Sequence, residues 1–136
     1  TAPGAIKKSA LAVVRDGKLL VVKPRNSSYL LMPGGKPKLG ESAVAALKRE
    51  IMEELDCSID ESSLAFLGTF EDAAAGRSST TVSIDLYSGK LIGTPRPSSE
   101  IEELEWISVS DIKMPQLSPV IKNKIVPFLV DKGILK

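Results

Sequence analysis

The residues best equipped for chemistry lie in one short run, Arg49-Glu50-Ile51-Met52-Glu53-Glu54. A helix turns about 100° per residue, which places Glu50, Glu53 and Glu54 within an arc of about 100°. An apolar stripe of Val44, Leu47, Ile51 and Leu55 occupies the neighbouring face. The carboxylates therefore share the border between core and surface. Glu50 and Glu54 are an i,i+4 like-charge pair, which costs an exposed helix roughly 0.2–0.5 kcal/mol. Within helical reach only Glu53 has a cation, Arg49 at i−4. Glu53 and Glu54 also stand near the helix C-terminus, where the macrodipole disfavours negative charge. Compensation must come from outside the helix, and a divalent cation with oxygen ligands, Mg²⁺ or Mn²⁺, is the simplest source. The alternative is a solvated acidic face met by basic residues of other elements, and on these three residues alone it is the better reading.

The rest of the chain narrows the chemistry. Its 136 residues contain no histidine and one cysteine, Cys57. That excludes a Ser-His-Asp triad, a Cys-His dyad, a histidine zinc site, an intrachain disulfide and a cysteine metal cluster. Carboxylates, lysines, hydroxyls and oxygen-bound metal remain. The length suits one domain spanning 1–136, able to bury about 68–70% of its unfolded surface. A net charge of +1 argues against nucleic acid and anionic membranes as partners. No apolar run approaches the ~20 residues of a membrane-spanning helix. Thr1–Gly4 carry no apolar signal segment and read as a processed end, so a cytoplasmic location is expected.

The elements that must position the acidic run can be read in outline. Ala10–Arg15 and Lys18–Lys23 flank Asp16-Gly17, a hairpin signal because a type I′ turn needs positive φ at both central residues. Tyr29–Met32 reads as a short strand stopped by Pro33-Gly34-Gly35. A polar loop, Lys36–Glu41, leads to a helix from about Ser42, its N-cap, to Leu55, with a left-handed end at Asp56. Leu64–Phe70 and Thr80–Tyr87 read as strands joined by a mobile surface loop, Glu71–Ser79. Leu91-Ile92 reads as a short strand, Thr94–Ser99 as irregular chain and Glu102–Ile107 as another strand. A last helix starts at Ser118 and Pro119, is kinked by Pro127, passes Val130 and ends at Gly133. These elements predict one α/β domain with a mixed sheet.

Gly35, five residues, Glu41, seven residues, Arg49-Glu50-Ile51, one residue and Glu53-Glu54 together closely resemble the Nudix box, the loop–helix signature of the Nudix hydrolase family. The likeness spans 35–57 with one departure, Asp56 where the family has Gly; Cys57 takes the final aliphatic position. Pro33-Gly34-Gly35 and Glu100–Ile107, with Trp106, resemble the family's framing segments, so the core is expected over about 6–130. The resemblance implies an α+β fold, a mixed β-sheet sandwiched between helices. It implies Mg-dependent hydrolysis of a nucleoside diphosphate linked to another moiety, by water attack on phosphorus. Glu50, Glu53, Glu54 and the Gly35 carbonyl (or that of Gly34) would bind the metal. Glu41 would orient Arg49 in a structural role. The general base would be Glu53, or Glu100 or Glu103 from the later segment, with Glu105 a weaker choice.

Other residues carry two readings each. Lys23, Arg25 and Tyr29 could reach phosphate or base, although exposed basic residues at strand ends are routine. Arg77 could close on substrate, but a solvated loop is the better reading. Phe70, Tyr87 and Trp106 default to core packing. Cys57 has nothing nearby in sequence to activate it. Lys7-Lys8 reads as a solvated edge. The family's downstream subclass marks for ADP-ribose, dinucleoside polyphosphates and NADH are absent, which leaves a weak lean to nucleoside triphosphates, with nucleotide sugars next. A homodimer is the one protein partner left open. The competing reading is a Nudix-fold module that binds a nucleotide without cleaving it; such modules usually lose some of the box glutamates, and all are present here.

Overall fold

A computed structural model describes residues 6–136, with side chains at all of these except Arg77 and Ser78. The Thr1–Gly4 end therefore lies outside the described residues. The order is β1 (Ile6–Ala12), β2 (Val14–Arg15), β3 (Lys18–Pro24), β4 (Gly34–Gly35), α1 (Ala43–Leu55), β5 (Ser58–Ala74), β6 (Arg77–Ile92) and β7 (Ile101–Ile107). A 3₁₀ turn, Val109–Lys113, and a C-terminal helix follow; that helix is helical from 119, passes through a π segment, Ile121–Ile125, and ends as α2 (Val126–Asp131).

The strands form a mixed four-stranded sheet, β4-β1-β6-β5, and an antiparallel one, β2-β3-β7. β1 and β6 run parallel, from Ile6↔Val82 to Ala12↔Ser88. Alternation along β1 and β3 divides the interior into two cores. Leu11, Val13, Leu20 and Val22 pack with Leu47, Ile51 and Leu55 of α1. Ala10, Ala12, Leu19 and Val21 pack with Ile121, Ile125, Val126 and Leu129 of the C-terminal helix. A β layer between helices is thus the architecture. No helix among the described residues is long and apolar enough to cross a membrane.

Local chemistry explains the elements that match expectation. Asp16 (φ 53°) and Gly17 (φ 75°) both adopt positive φ and join β2 to β3. Ser42 Oγ accepts the Ala45 amide at 3.1 Å, and Asp56 ends α1 at φ 54°, ψ 40°.

Several expectations are corrected. The first strand starts at Ile6, not Ala10, and its Ala10–Ala12 part pairs with β4 and β6 rather than in the hairpin. Lys8 is accordingly no solvated edge: it lies inside the sheet opposite Ile84. Tyr29–Met32 is not a strand but makes two isolated bridges, Val22↔Leu31 and Leu30↔Leu117. Gly34–Gly35, read as a stop, is itself a short strand opposite Ser9 and Ala10. Glu71–Ser79 is not a loop. It forms the ends of the long β5–β6 hairpin, which turns only at Ala75-Gly76, because paired β6 imposes a ladder that the weak strand propensity of Ala and Gly does not announce. Leu91-Ile92 is the end of β6 rather than a separate strand. Val44 is only half-buried, and Ala46 takes its place in the α1 stripe. Pro127, lacking an N–H, is preceded by the π segment, in which the Val126 amide donates to Ile121 O.

Candidate active site

The site is built where α1, β4 and the chain before β7 meet. The two glycines of β4 are required by space. A Cβ on Gly34 would lie 2.1 Å from Ser9 O, and Gly34 has φ 140°. A Cβ on Gly35 would lie 1.5 Å from Glu50 Oε2. The Gly34 amide donates to Glu54 Oε1 at 3.0 Å. Two turns of α1 are thereby drawn against a bare strip of backbone.

Arg49 holds the preceding loop. Its Nε and Nη2 each donate to Glu41 at 2.9 Å, and Nη2 also donates to Lys36 O at 3.2 Å. Nη1 donates to Glu50 Oε1 at 3.0 Å and lies 3.7 Å from Glu53. The cation that helical spacing withheld from Glu50 is thus supplied by its immediate neighbour, because the guanidinium forks back along the helix. Arg49 holds the Glu41 carboxyl down to about 2, helped by the Lys38 amide. Glu41 in turn raises the Arg49 guanidinium above its ordinary value.

The end of α1 fixes the opposite wall. The Ser98 and Arg96 amides donate to Glu54 O and Leu55 O, each at 3.0 Å, satisfying helix-terminal carbonyls. Arg96 also pairs with Asp56. This brace delivers Glu100, whose carbonyl accepts the Arg25 amide at 2.8 Å while Arg25 Nε donates to Ser99 O at 3.2 Å.

Together these segments enclose a cavity of about 360 Å³ lined by Lys8, Gly35, Arg49, Glu50, Glu54 and Glu100, among others. Burial raises the Glu54 carboxyl to about 8; the charges of Glu50 and Glu100 add to that, and the Gly34 amide and Lys8 oppose it. Burial, then a hydrogen bond with Glu53, also raises Glu50, against the pull of Arg49. These carboxylates repel in a partly desolvated cleft, a repulsion that a bound cation would relieve. The buried Ser9 Oγ, on the α1 side of β1 and opposite Gly35 in register, has no hydrogen-bond partner among the described residues. The donor set suits a hard divalent cation, although no three carboxylates among the described residues converge closely enough to hold one as they stand.

Of the expected site residues, Gly35, Glu50, Glu54 and Glu100 are brought together, while Glu53 sits half-exposed on the Arg49 side. Glu103 and Glu105 do not line the cavity; they are exposed on β7, opposite Lys23 and Val21. Lys23 pairs with Glu102. Arg25 braces the Glu100 segment, and the Tyr29 ring packs beside Gly76, 3.3 Å from where a Cβ there would sit. The Arg77 side chain lies outside the described residues. Phe70 meets Phe128 edge-on at 5.0 Å, Tyr87 packs on Phe66, and Trp106 lies at the α1 core under Arg15. Cys57 is buried and its thiol is pushed up. Lys8, expected at a solvated edge, and Lys36, expected only as part of the polar loop, both line the cavity. The alternation Ile6, Lys8, Ala10 could have placed Lys8 on an inward face.

Comparison with known proteins agrees with this fold. A family model described as the NUDIX domain matches residues 6–129. No curated protein matches the sequence. The MutT protein from Methanosarcina mazei Go1 is similar at TM-score 0.77 and 19% identity, over 97% of this chain and 98% of that one. A NUDIX hydrolase from Nitrosomonas europaea is similar at 0.76 and 21%, over 97% and 96%. A MutT NUDIX hydrolase from Burkholderia pseudomallei is similar at 0.69 and 26%, over 82% and 88%. The first two likenesses speak for the fold alone. Since the family model spans nearly the whole described chain and the box carries its full set of glutamates, the protein belongs to the NUDIX family and is a hydrolase acting on diphosphate bonds.

Proposed function

We propose that the protein is a Mg²⁺-dependent pyrophosphohydrolase that cleaves a nucleoside triphosphate or a nucleotide-sugar type substrate by water attack on phosphorus. The observation that carries this reading is the pairing of two desolvated carboxylates, Glu50 and Glu54, with the bare backbone of Gly34-Gly35 on one cavity. Glu50, Glu54 and the Gly35 carbonyl would hold the metal, with Glu53 completing the set from the helix edge; Mn²⁺ has the same oxygen preference. Bound there, the cation would neutralise phosphate charge and acidify water. Glu100 is the favoured general base: it shares the cavity with Glu50 and Glu54, is delivered by the brace on α1, and belongs to a different element from the metal carboxylates. Glu53 is the second choice, and Glu103, which does not line the cavity, has no comparable support. Arg49 and Glu41 keep the loop closed over the helix.

The test is a panel of nucleoside triphosphates and nucleotide sugars, with and without Mg²⁺, with phosphate and diphosphate products measured. Turnover should require the metal, and Glu54→Gln should lose about 100-fold or more in kcat. Glu100→Gln should lose on the order of 100-fold while retaining metal affinity. Binding without turnover of any member, unaltered by these substitutions, would leave only the non-catalytic module.

A further inference from the structure

The carboxylate cavity does not end at the glutamates. A second cavity of about 280 Å³ shares Lys8, Leu31, Met32, Gly34 and Lys36 with it as a common wall. Beyond that wall the lining mixes aliphatic side chains, among them Ile6, Val82, Ile84 and Val120, with the serines Ser9, Ser27 and Ser118. One end of the combined space therefore carries the carboxylates suited to a metal diphosphate, bordered by Lys8, Lys36, Lys38 and Arg49, and the other offers apolar and serine-lined surface suited to an organic group such as a nucleoside.

Lys8 stands at the junction. Its backbone is fixed inside the sheet by β6, in register with Ile84. Its ammonium is largely withdrawn from water, which lowers its basicity. It feels attraction from Glu54 and Glu50 and repulsion from Lys36, yet among the described residues no carboxylate lies within ion-pair distance of it. A desolvated ammonium without a direct partner is costly to maintain, and a second lysine beside it adds to the cost. An anion bound between the two would relieve both terms.

We infer that Lys8, with Lys36 as an outer arm, binds the phosphate that carries the substrate's organic group. The diphosphate then lies over Glu50 and Glu54, and the organic group enters the second cavity. Lys8 is on this assignment a substrate-binding residue that sets the direction in which the substrate lies. The inference rests on the proposed hydrolase function, but it is tested separately because it concerns binding in the absence of metal.

The probes are the four ribonucleoside 5′-monophosphates and the matching nucleosides, titrated calorimetrically in EDTA against the whole protein, Lys8→Met and Lys8→Arg. At least one monophosphate should bind the wild type more tightly than its nucleoside. Lys8→Met should weaken that monophosphate on the order of 10- to 100-fold, the range of a charged hydrogen bond, and leave the nucleoside unchanged. Lys8→Arg should restore most of the loss. In the wild type, the same monophosphate should protect Lys8 from acetylation read by mass spectrometry, an outcome that does not depend on the variants folding. Failure of all four monophosphates to bind, equal binding by folded Lys8→Met, or absence of protection would overturn the assignment. So would a Lys8→Met effect confined to Mg²⁺ affinity, which would make Lys8 a counter-charge for the glutamates. Lys8-dependent binding without Mg²⁺-dependent turnover would keep the assignment and sink the hydrolase reading, whereas turnover with an unchanged KM in Lys8→Met would do the reverse.

Discussion

Gly34 and Gly35 are neighbours, yet a methyl group on each meets a different kind of obstacle. At Gly35 the obstacle is Glu50 Oε2, the far end of a flexible side chain. At Gly34 it is the backbone of Ser9 and Ala10, in a conformation that L side chains rarely adopt. Gly35→Ala should therefore fold, at a cost of roughly 1 kcal/mol or less, while pushing Glu50 out of the cavity. Its Mn²⁺ affinity should fall at least about tenfold, a loss typical of displaced metal-site groups. Gly34→Ala should instead lose more than about 2 kcal/mol of stability, because strand β4 must move away from β1. Urea unfolding and metal titration of the two variants separate these outcomes; equal losses of stability would contradict the geometry. The spacing of the box names both the glutamates and Gly35 but says nothing of how close they come. It also conceals Arg49's bond to Glu50, since adjacent helical residues do not face each other and only a forked, long side chain closes that distance.

At the scale of elements, α1 was legible to the residue because its ends are written in local chemistry. Ser42 accepts a first-turn amide and Asp56 takes the left-handed position. β5 and β6 were not, because their length comes from a ladder between residues distant in sequence, such as Ala73↔Thr81. Asp56 stands where the family has Gly, and its site has φ 54°. Asp56→Gly should remove the left-handed penalty but also the exposed pair with Arg96, so stability should change by no more than about 1 kcal/mol. Asp56→Val should lose about 1–2 kcal/mol or more, since a β-branched side chain tolerates this conformation least. The loss should reach the site, because the Arg96–Ser98 brace that delivers Glu100 is anchored on the same helix end. Urea midpoints give the stability order Gly ≈ Asp > Val, and a lowered kcat in the Val variant would report the displaced brace.

Across the whole molecule the sheet has a core and a helical element on each face, and the site opens at the edge where β4 is only two residues long. That shortness leaves Glu54 under cover yet facing a cavity, and it determines how stability should follow pH. Glu41 is held in the folded state at about 2, below its ordinary 4.5. Its contribution is therefore present above about pH 5 and is lost as pH falls towards 2. Glu54 is raised in the metal-free fold from 4.5 to about 8. Its contribution runs the other way: it is complete below about pH 4.5 and is lost as pH rises through 8, because unfolding lets the carboxylate ionise in water. The metal-free protein should accordingly be most stable at mildly acidic pH, near 5, and decline on both sides in thermal scans. Glu54→Gln keeps an acceptor for the Gly34 amide and removes the charge. It should flatten the alkaline decline and leave the acid limb, which belongs to Glu41, unchanged. A cation that binds the ionised form of Glu54 stabilises the fold in proportion to its occupancy. Saturating Mg²⁺ should thus raise the wild-type melting temperature more at pH 8.5 than at pH 5.5, and Glu54→Gln should lose most of that difference. An alkaline limb identical in both proteins, with or without Mg²⁺, would show that Glu54 is ionised in the fold at no cost and that the cleft has no need of a cation.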